Sequence, residues 1–478
     1  MARFAMRLRP DQDPAVTTAR LVAERGAQVE PLSADDPDIL IIDLPDRVFA
    51  TDADAFSDAY TLADDYGALA VEPDLPTALF PEPDPVRGAD FPPGCWSPEH
   101  PNLAAEWALW TIRAPQAWEY SRSQGKPERG EGIVVGQPDT GVIRHRELDG
   151  VLAVQGYDFV DNDNDPTDPL ADGNPGHGTA TASVIVSPNT HVVTGAAPRV
   201  RHMAIRAIES VVRVTQVSVA KAVVWATDHG AHVITMSLGG LPSFALDRAI
   251  NRAVAANVIV MAAAGNCVGT VVWPARYDNC VAVAGTTPDD TPWRGTCKGK
   301  AVDISAPGEN VYRARIPQFP GDGDSGQGQG TSLAVALTAA VAALWLAHHG
   351  RDRVIASARG RGETVQALFQ RLIRDTARRP PGWNTNEMGA GIIDAQALLT
   401  KTLDARTPTA DAAGTGSVPE LITELLGDID LRVDWDRYGP ELASLILRTL
   451  LGDRTTTLPS GELRAAITNE HLRRFLRL

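Results

Sequence analysis

The chain has 478 residues, 44% of them hydrophobic and 22% charged, enough for about three domains of ordinary size. Acidic side chains outnumber basic ones by 60 to 44, a formal charge of -16. A protein that holds nucleic acid carries the opposite field, so that partner class is excluded. The four cysteines, Cys95, Cys267, Cys280 and Cys297, are too few for a disulfide scaffold in a chain this long. They admit three complete pairings, and small buried hydrophobes are the favoured reading.

Met1 to Pro10 carries basic residues but no apolar stretch behind them, so it is not a secretory signal. A cytoplasmic location is expected, with export by another route left open. An alternating stretch, Arg3–Leu8, precedes a helical one, Ala15–Arg25. The apolar run Asp38–Leu44, a helix near Ala53–Tyr66 and the stretch Leu69–Asp74 complete a two-layer βαββαβ pattern, a small α+β ferredoxin-like domain. From Pro81 to Pro98 the chain is crowded with Pro, Asp and Gly, which reads as an exposed linker.

Between Ala104 and Thr400 short apolar runs recur: 132–136, 201–208, 232–238, 258–264, 280–285 and 301–306. Helical patterns at Val217–His229 and Phe244–Ala256 separate some of them. The expectation is an α/β domain with a doubly wound, mostly parallel sheet covered on both faces. Sites in such sheets gather at the carboxyl ends of strands. Thr331–Ala347 is the most apolar stretch, but it is short for a membrane span and ends in His348-His349. It is expected as a buried helix, with no transmembrane segment. After a Thr/Ala/Gly/Pro linker, Pro419–Leu426, Pro440–Leu451 and Gly461–Leu478 read as three amphipathic helices.

Four tripeptides follow a strand or open a helix: Asp139-Thr140-Gly141, His177-Gly178-Thr179, Ala264-Gly265-Asn266 and Gly330-Thr331-Ser332. Each alone is an ordinary turn or helix cap. Together they supply a hydroxyl, an imidazole to take its proton and a carboxylate to hold the imidazole, the needs of nucleophilic acyl transfer. Their order and local sequences resemble the subtilisin-like serine peptidases, the subtilases. Met236-Ser237-Leu238-Gly239-Gly240, Ala306-Pro307-Gly308 and the stretch 389–395 match as well, so the resemblance covers residues 101–400.

The resemblance implies a serine endopeptidase that needs no cofactor for its chemistry and acts on extended polypeptide. Ser332 would be the nucleophile, His177 the base, Asp139 its orienter and Asn266 a donor to the oxyanion. Ser237, Leu238, Gly239, Ala264 and Gly265 would line the cleft. Val272 stands where the family often has a glycine, so small side chains are expected before the scissile bond. Two departures, Ala180 after His-Gly-Thr and Val335-Ala336 after Ala334, remove no reacting group.

The acidic loop at 158–167 resembles the calcium loop of thermitase-like members, with Asp158, Asp161, Asp163, Asp165 and Thr167 as ligands to a structural calcium. A set of Asx turns is the alternative. The N-terminal unit resembles the family's inhibitory propeptide, implying an intramolecular inhibitor and self-cleavage within 75–100.

The chain thus divides into an inhibitor-like domain (1–85), a linker (86–100), the peptidase domain (101–402), a second linker (403–418) and a C-terminal helical region (419–478). The last region has no recognisable reacting group and is expected to meet an unknown protein partner or close a small bundle. The competing reading is a catalytically silent subtilase-fold scaffold acting as an adaptor through those helices. Acyl transfer to an amine would use the same residues.

Overall fold

The computed structural model describes residues 2–76, 95–170, 174–211, 214–317, 323–404, 416–429, 432–451, 458–476 and 478. Most of the first expected linker and the centre of the second lie outside the described residues, as does most of the expected self-cleavage stretch.

The N-terminal unit runs β1 (Ala2–Arg7), α1 (Pro14–Arg25), β2 (Gln28–Ser33), β3 (Asp36–Leu44), α2 (Asp52–Tyr66) and β4 (Ala70–Pro73). Its antiparallel sheet has the order β2-β3-β1-β4. Strand β2 carries Pro31 and no apolar run, which an edge strand tolerates and sequence patterning does not reveal. The uniform apolar run in β3 is explained by burial on both faces. Ile39 and Ile41 join the core shared with the rest of the chain, while Leu40 and Ile42 pack under α1 and α2 with Phe4, Met6 and Leu21.

The central unit opens with α3 (Trp107–Thr111), α4 (Ala114–Ser123), β5 (Val134–Asp139), β6 (Leu152–Ala153) and β7 (Tyr157–Asp158). It continues through α5 (His177–Val186), β8 (Arg201–Arg206), α6 (Gln216–Asp228), β9 (Val233–Met236), α7 (Phe244–Ala255) and β10 (Ile259–Ala263). Then come β11 (Val281–Thr286), β12 (Ile304–Pro307), the hairpin β13 (Val311–Ala314) and β14 (Ser325–Gly328), and α8 (Thr331–His349). Helices α9 (Arg351–Gly360), α10 (Val365–Thr376), α11 (Thr385–Met388) and α12 (Ala395–Thr400) finish it. The sheet is parallel, ordered β12-β11-β10-β9-β5-β8-β6, with β7 beside β8. The apolar runs of the sequence fall on β5 and β8 to β12. The hairpin was not legible, because β14 reads Ser-Gly-Gln-Gly and has no apolar side chain.

Helix α8 is apolar on every side because it is buried on every side, with 94% of its span inside the protein. With α5, α10 and α12 it covers one face of the sheet, and α6 and α7 cover the other. The far side of α6 and α7 receives the N-terminal sheet through Ala5, Leu32, Ile39 and Ile41.

The C-terminal region forms α13 (Val418–Leu426), α14 (Trp435–Leu450), α15 (Gly461–Ala466) and α16 (Glu470–Leu476). Two expectations are corrected here. Helix α14 begins just after Asp434, whose side chain caps the Arg437 N–H, so Pro440 lies inside the helix and not at its start. The stretch expected as one helix from Gly461 breaks after Ala466, and Asn469 restarts it by accepting from the His471 and Leu472 N–H groups.

These helices pack on the chain itself. The Tyr60 hydroxyl donates to Glu441 at 2.6 Å, Arg437 pairs with Asp64 at 2.7 Å, and Arg448 pairs with Asp52 at 2.5 Å. On the peptidase side, Arg276 pairs with Glu424 at 2.6 Å, and the Trp273 indole N–H donates to the Gly416 carbonyl.

Candidate active site

Strand β5 ends in Asp139 and helix α5 begins at His177, so the sheet's carboxyl edge brings these two together. Both are buried, and His177 Nδ1 lies 2.8 Å from Asp139 Oδ1. A carboxylate can only accept, so the proton sits on Nδ1 and the Nε2 lone pair is free to act as a base. The Thr140 N–H donates to the same oxygen at 2.7 Å, and Thr181 Oγ1 approaches the other at 3.4 Å. Behind them, Gln137 bridges Thr181 Oγ1 at 2.7 Å and His202 Nε2 at 2.8 Å. Burial pushes the His202 imidazole down to about 4, so it stays neutral where the site would work.

Close approach explains Gly178. A Cβ there would stand 2.1 Å from the Gly141 carbonyl oxygen, so only glycine lets α5 start against the Asp139–Gly141 turn. Thr140 Oγ1 accepts from the Gly178 N–H and donates to Asp168, locking the two tripeptides together.

Helix α8 starts at Thr331, and its first turn packs beside β9 and β10. Ser332 Oγ, half-buried, donates to the Ser237 carbonyl at 3.2 Å. Asn266 Oδ1 accepts from both the Thr331 N–H and Thr331 Oγ1, each at 2.9 Å. With its oxygen held this way, the Asn266 amide nitrogen is left to serve another acceptor. Thr331 Oγ1 also accepts from the Gly265 N–H at 3.2 Å. Sequence reasoning assigned Thr331 no part. Its hydroxyl fixes Asn266, a role no tripeptide pattern carries.

Ser237 Oγ donates back to the Ser332 carbonyl at 3.1 Å, and Leu238 is buried beside it. Gly239 follows at the end of the same segment. Val272 is fully buried, and its N–H donates to the Ala264 carbonyl at 3.0 Å. A Cβ built on Gly265 would come within 2.9 Å of Val272 Cγ2, so the valine fills the space that a glycine would leave.

The calcium expectation does not fit. Arg206 reaches into the loop and pairs with both Asp158, at 2.6 Å, and Asp161. Asp158 also accepts from the Val160 and Asp161 N–H groups, Asp163 from the Asp165 N–H, and Asp165 from the Thr167 N–H and hydroxyl. The acidic side chains are spent on Asx turns and a guanidinium, and no cluster able to hold a metal occurs among the described residues.

The cysteine expectation is half corrected. Cys280 and Cys297 are free and buried, but Cys95 and Cys267 form a disulfide. The bond ties the end of the first linker to the residue after Asn266.

The N-terminal unit reaches the peptidase through two acids, one in β4 and one just beyond it. Glu72 accepts from the Phe244 N–H at 3.0 Å and from Ser243 Oγ, at the start of α7. Asp74 accepts from the Val217 N–H at 3.1 Å, at the start of α6, where no side chain of that helix's own N-cap bonds. Burial pushes Glu72 up to about 7 and Asp74 up to about 6, against the donors that favour their charged forms. Leu75 then lines a small cavity with Gln216 and Leu241.

The subtilase family model matches residues 130–392. The chain belongs to the subtilase family. It is 36% identical over 223 residues to thermitase of Thermoactinomyces vulgaris, covering 45% of this chain and 75% of that one. Against subtilisin Savinase of Lederbergia lenta it is 33% identical over 208 residues, 43% of this chain and 72% of the relative. Fervidolysin of Fervidobacterium pennivorans shares the fold with a TM-score of 0.61 at 21% identity, over 85% of this chain and 62% of that structure. By this membership the chain is a subtilisin-like serine endopeptidase.

Thr331→Val keeps the side chain's shape and removes the hydroxyl that holds Asn266. It should lower kcat about tenfold with KM little changed, as steady-state hydrolysis of a peptide anilide would read.

Proposed function

We propose that this subtilase hydrolyses extended polypeptides through Asp139, His177 and Ser332, and that its N-terminal unit restrains it until self-cleavage. The observation that carries the reading is the buried His177–Asp139 hydrogen bond, and the Asn266 amide oriented by the first residue of α8 supports it. Ser332 rotates from the Ser237 carbonyl toward His177, loses its proton to Nε2 and attacks the scissile carbonyl. The Asn266 amide and the Ser332 N–H receive the negative charge, and His177 returns the proton to the leaving amine. Water then repeats the sequence on the acyl-enzyme.

The substrate's main chain runs along Ser237–Gly239 and Ala264–Gly265, adding hydrogen bonds as an extra strand would. With Val272 filling the space beside Gly265, small side chains precede the scissile bond. On peptides differing only there, Ala should be cleaved faster than Phe, and the reverse order would overturn this specificity.

Restraint is supported by the Glu72 and Asp74 contacts and by the C-terminal helices. Those helices bind α2 through Tyr60 and Asp64 while α13 holds Arg276, which braces the N-terminal unit against the peptidase. The adaptor reading is less favoured, since α14 is engaged within the chain. Incubated alone, the wild type should shorten within residues 75–100, and Ser332→Ala should stay intact by mass spectrometry. Equal trimming of both would defeat self-processing.

A further inference from the structure

We propose that residues 95–100 form a fixed wall on the leaving-group side of the cleft, limiting the side chains a substrate carries just beyond the scissile bond. The inference rests on the peptidase reading above and adds a specificity element to it.

Ser332 lies between two edges. One is the Ser237 carbonyl, to which its hydroxyl donates. The other is the β13–β14 hairpin, which runs through Gln329 into Gly330. That hairpin is seated on α5, the helix that His177 begins: the Ala314 N–H donates to Ser183 Oγ at 2.9 Å. The leaving amine takes its proton from His177, so the hairpin edge flanks the departing half of the substrate.

Residues 95–100 are fastened along this edge. The Gln329 side-chain amide accepts from the Ser97 N–H at 3.0 Å and donates to the Ser97 carbonyl. Gln327 does the same to His100, at 2.7 and 2.8 Å. Two glutamine amides thus stand in for a neighbouring strand, satisfying main-chain groups of a segment without a sheet partner. Trp96 meets the buried Trp293 edge to face, with centroids 5.4 Å apart. At the other end, the disulfide to Cys267 fixes the segment beside Asn266. The segment therefore touches both the oxyanion loop and the approach to the nucleophile, and self-cleavage before Cys95 would leave it attached.

A staple that served stability alone would affect every substrate alike, whereas a wall discriminates by the side chains beyond the scissile bond. The test uses the full chain as it is isolated, with active sites counted by a fluorophosphonate. Wild type is compared with Gln327→Ala, which leaves the disulfide intact, and with Cys95→Ser/Cys267→Ser. Substrates are quenched peptides identical up to the scissile bond, with Gly or Phe two residues beyond it, and an anilide with no chain there. Both variants should raise the Phe-to-Gly ratio of kcat/KM about threefold or more, and Gln327→Ala should leave anilide hydrolysis unchanged within about twofold. An unchanged ratio, or a parallel fall on peptides and anilide, would overturn the wall. If the wild type hydrolyses neither peptide nor anilide, the peptidase reading fails and takes the inference with it.

Discussion

Helix α6 starts without a side-chain cap from its own N-cap residue, and Asp74 from another unit completes its first turn. Glu72 does the same for α7 together with Ser243. Burying two carboxylates is expensive unless donors meet them, and helix N-termini offer both N–H groups and a favourable dipole. The cost and the compensation lie on different units. A docking register that buried the acids elsewhere would leave them unpaired, so the docked arrangement is fixed by polar matching as well as by the apolar contact of Ile39 and Ile41. Ion pairs such as Arg248 with Asp36 lie around this contact, partly exposed and individually weak.

The same two helices cover the sheet whose carboxyl edge holds Asp139. Docking therefore places the end of β4 against the N-termini of α6 and α7. The C-terminal helices strengthen the arrangement by binding both partners at once. A second attachment raises the effective concentration of the first, which favours slow separation of the two units. The disulfide joins residue 95 to residue 267, so a chain break before Cys95 would leave residues 95–100 with the peptidase domain.

Much of this was legible in the sequence, for physical reasons. Parallel strands buried on both faces leave near-continuous apolar runs, and β5 and β8 to β12 were found that way. The tripeptides around Asp139, His177, Asn266 and Ser332 were legible because close approach and strand-end turns demand small residues beside reacting ones, as at Gly178. What escaped depended on partners distant in sequence. Thr331 gains its role from Asn266, and Cys95 from Cys267, where four cysteines left three pairings open. The pairing of the acidic loop with Arg206 escaped for the same reason, since Arg206 stands in β8. Strands β2 and β14 escaped because edge and hairpin positions need no apolar pattern.

The central claim is a competent site held back by two acid-capped helices. It is tested most directly by the rate at which a peptidyl phosphonate, which needs an open cleft, labels Ser332 in the uncut chain. Glu72→Ala/Asp74→Ala should be labelled about tenfold faster than wild type, with no label in either after Ser332→Ala. Equal labelling rates in wild type and the double variant would contradict the account.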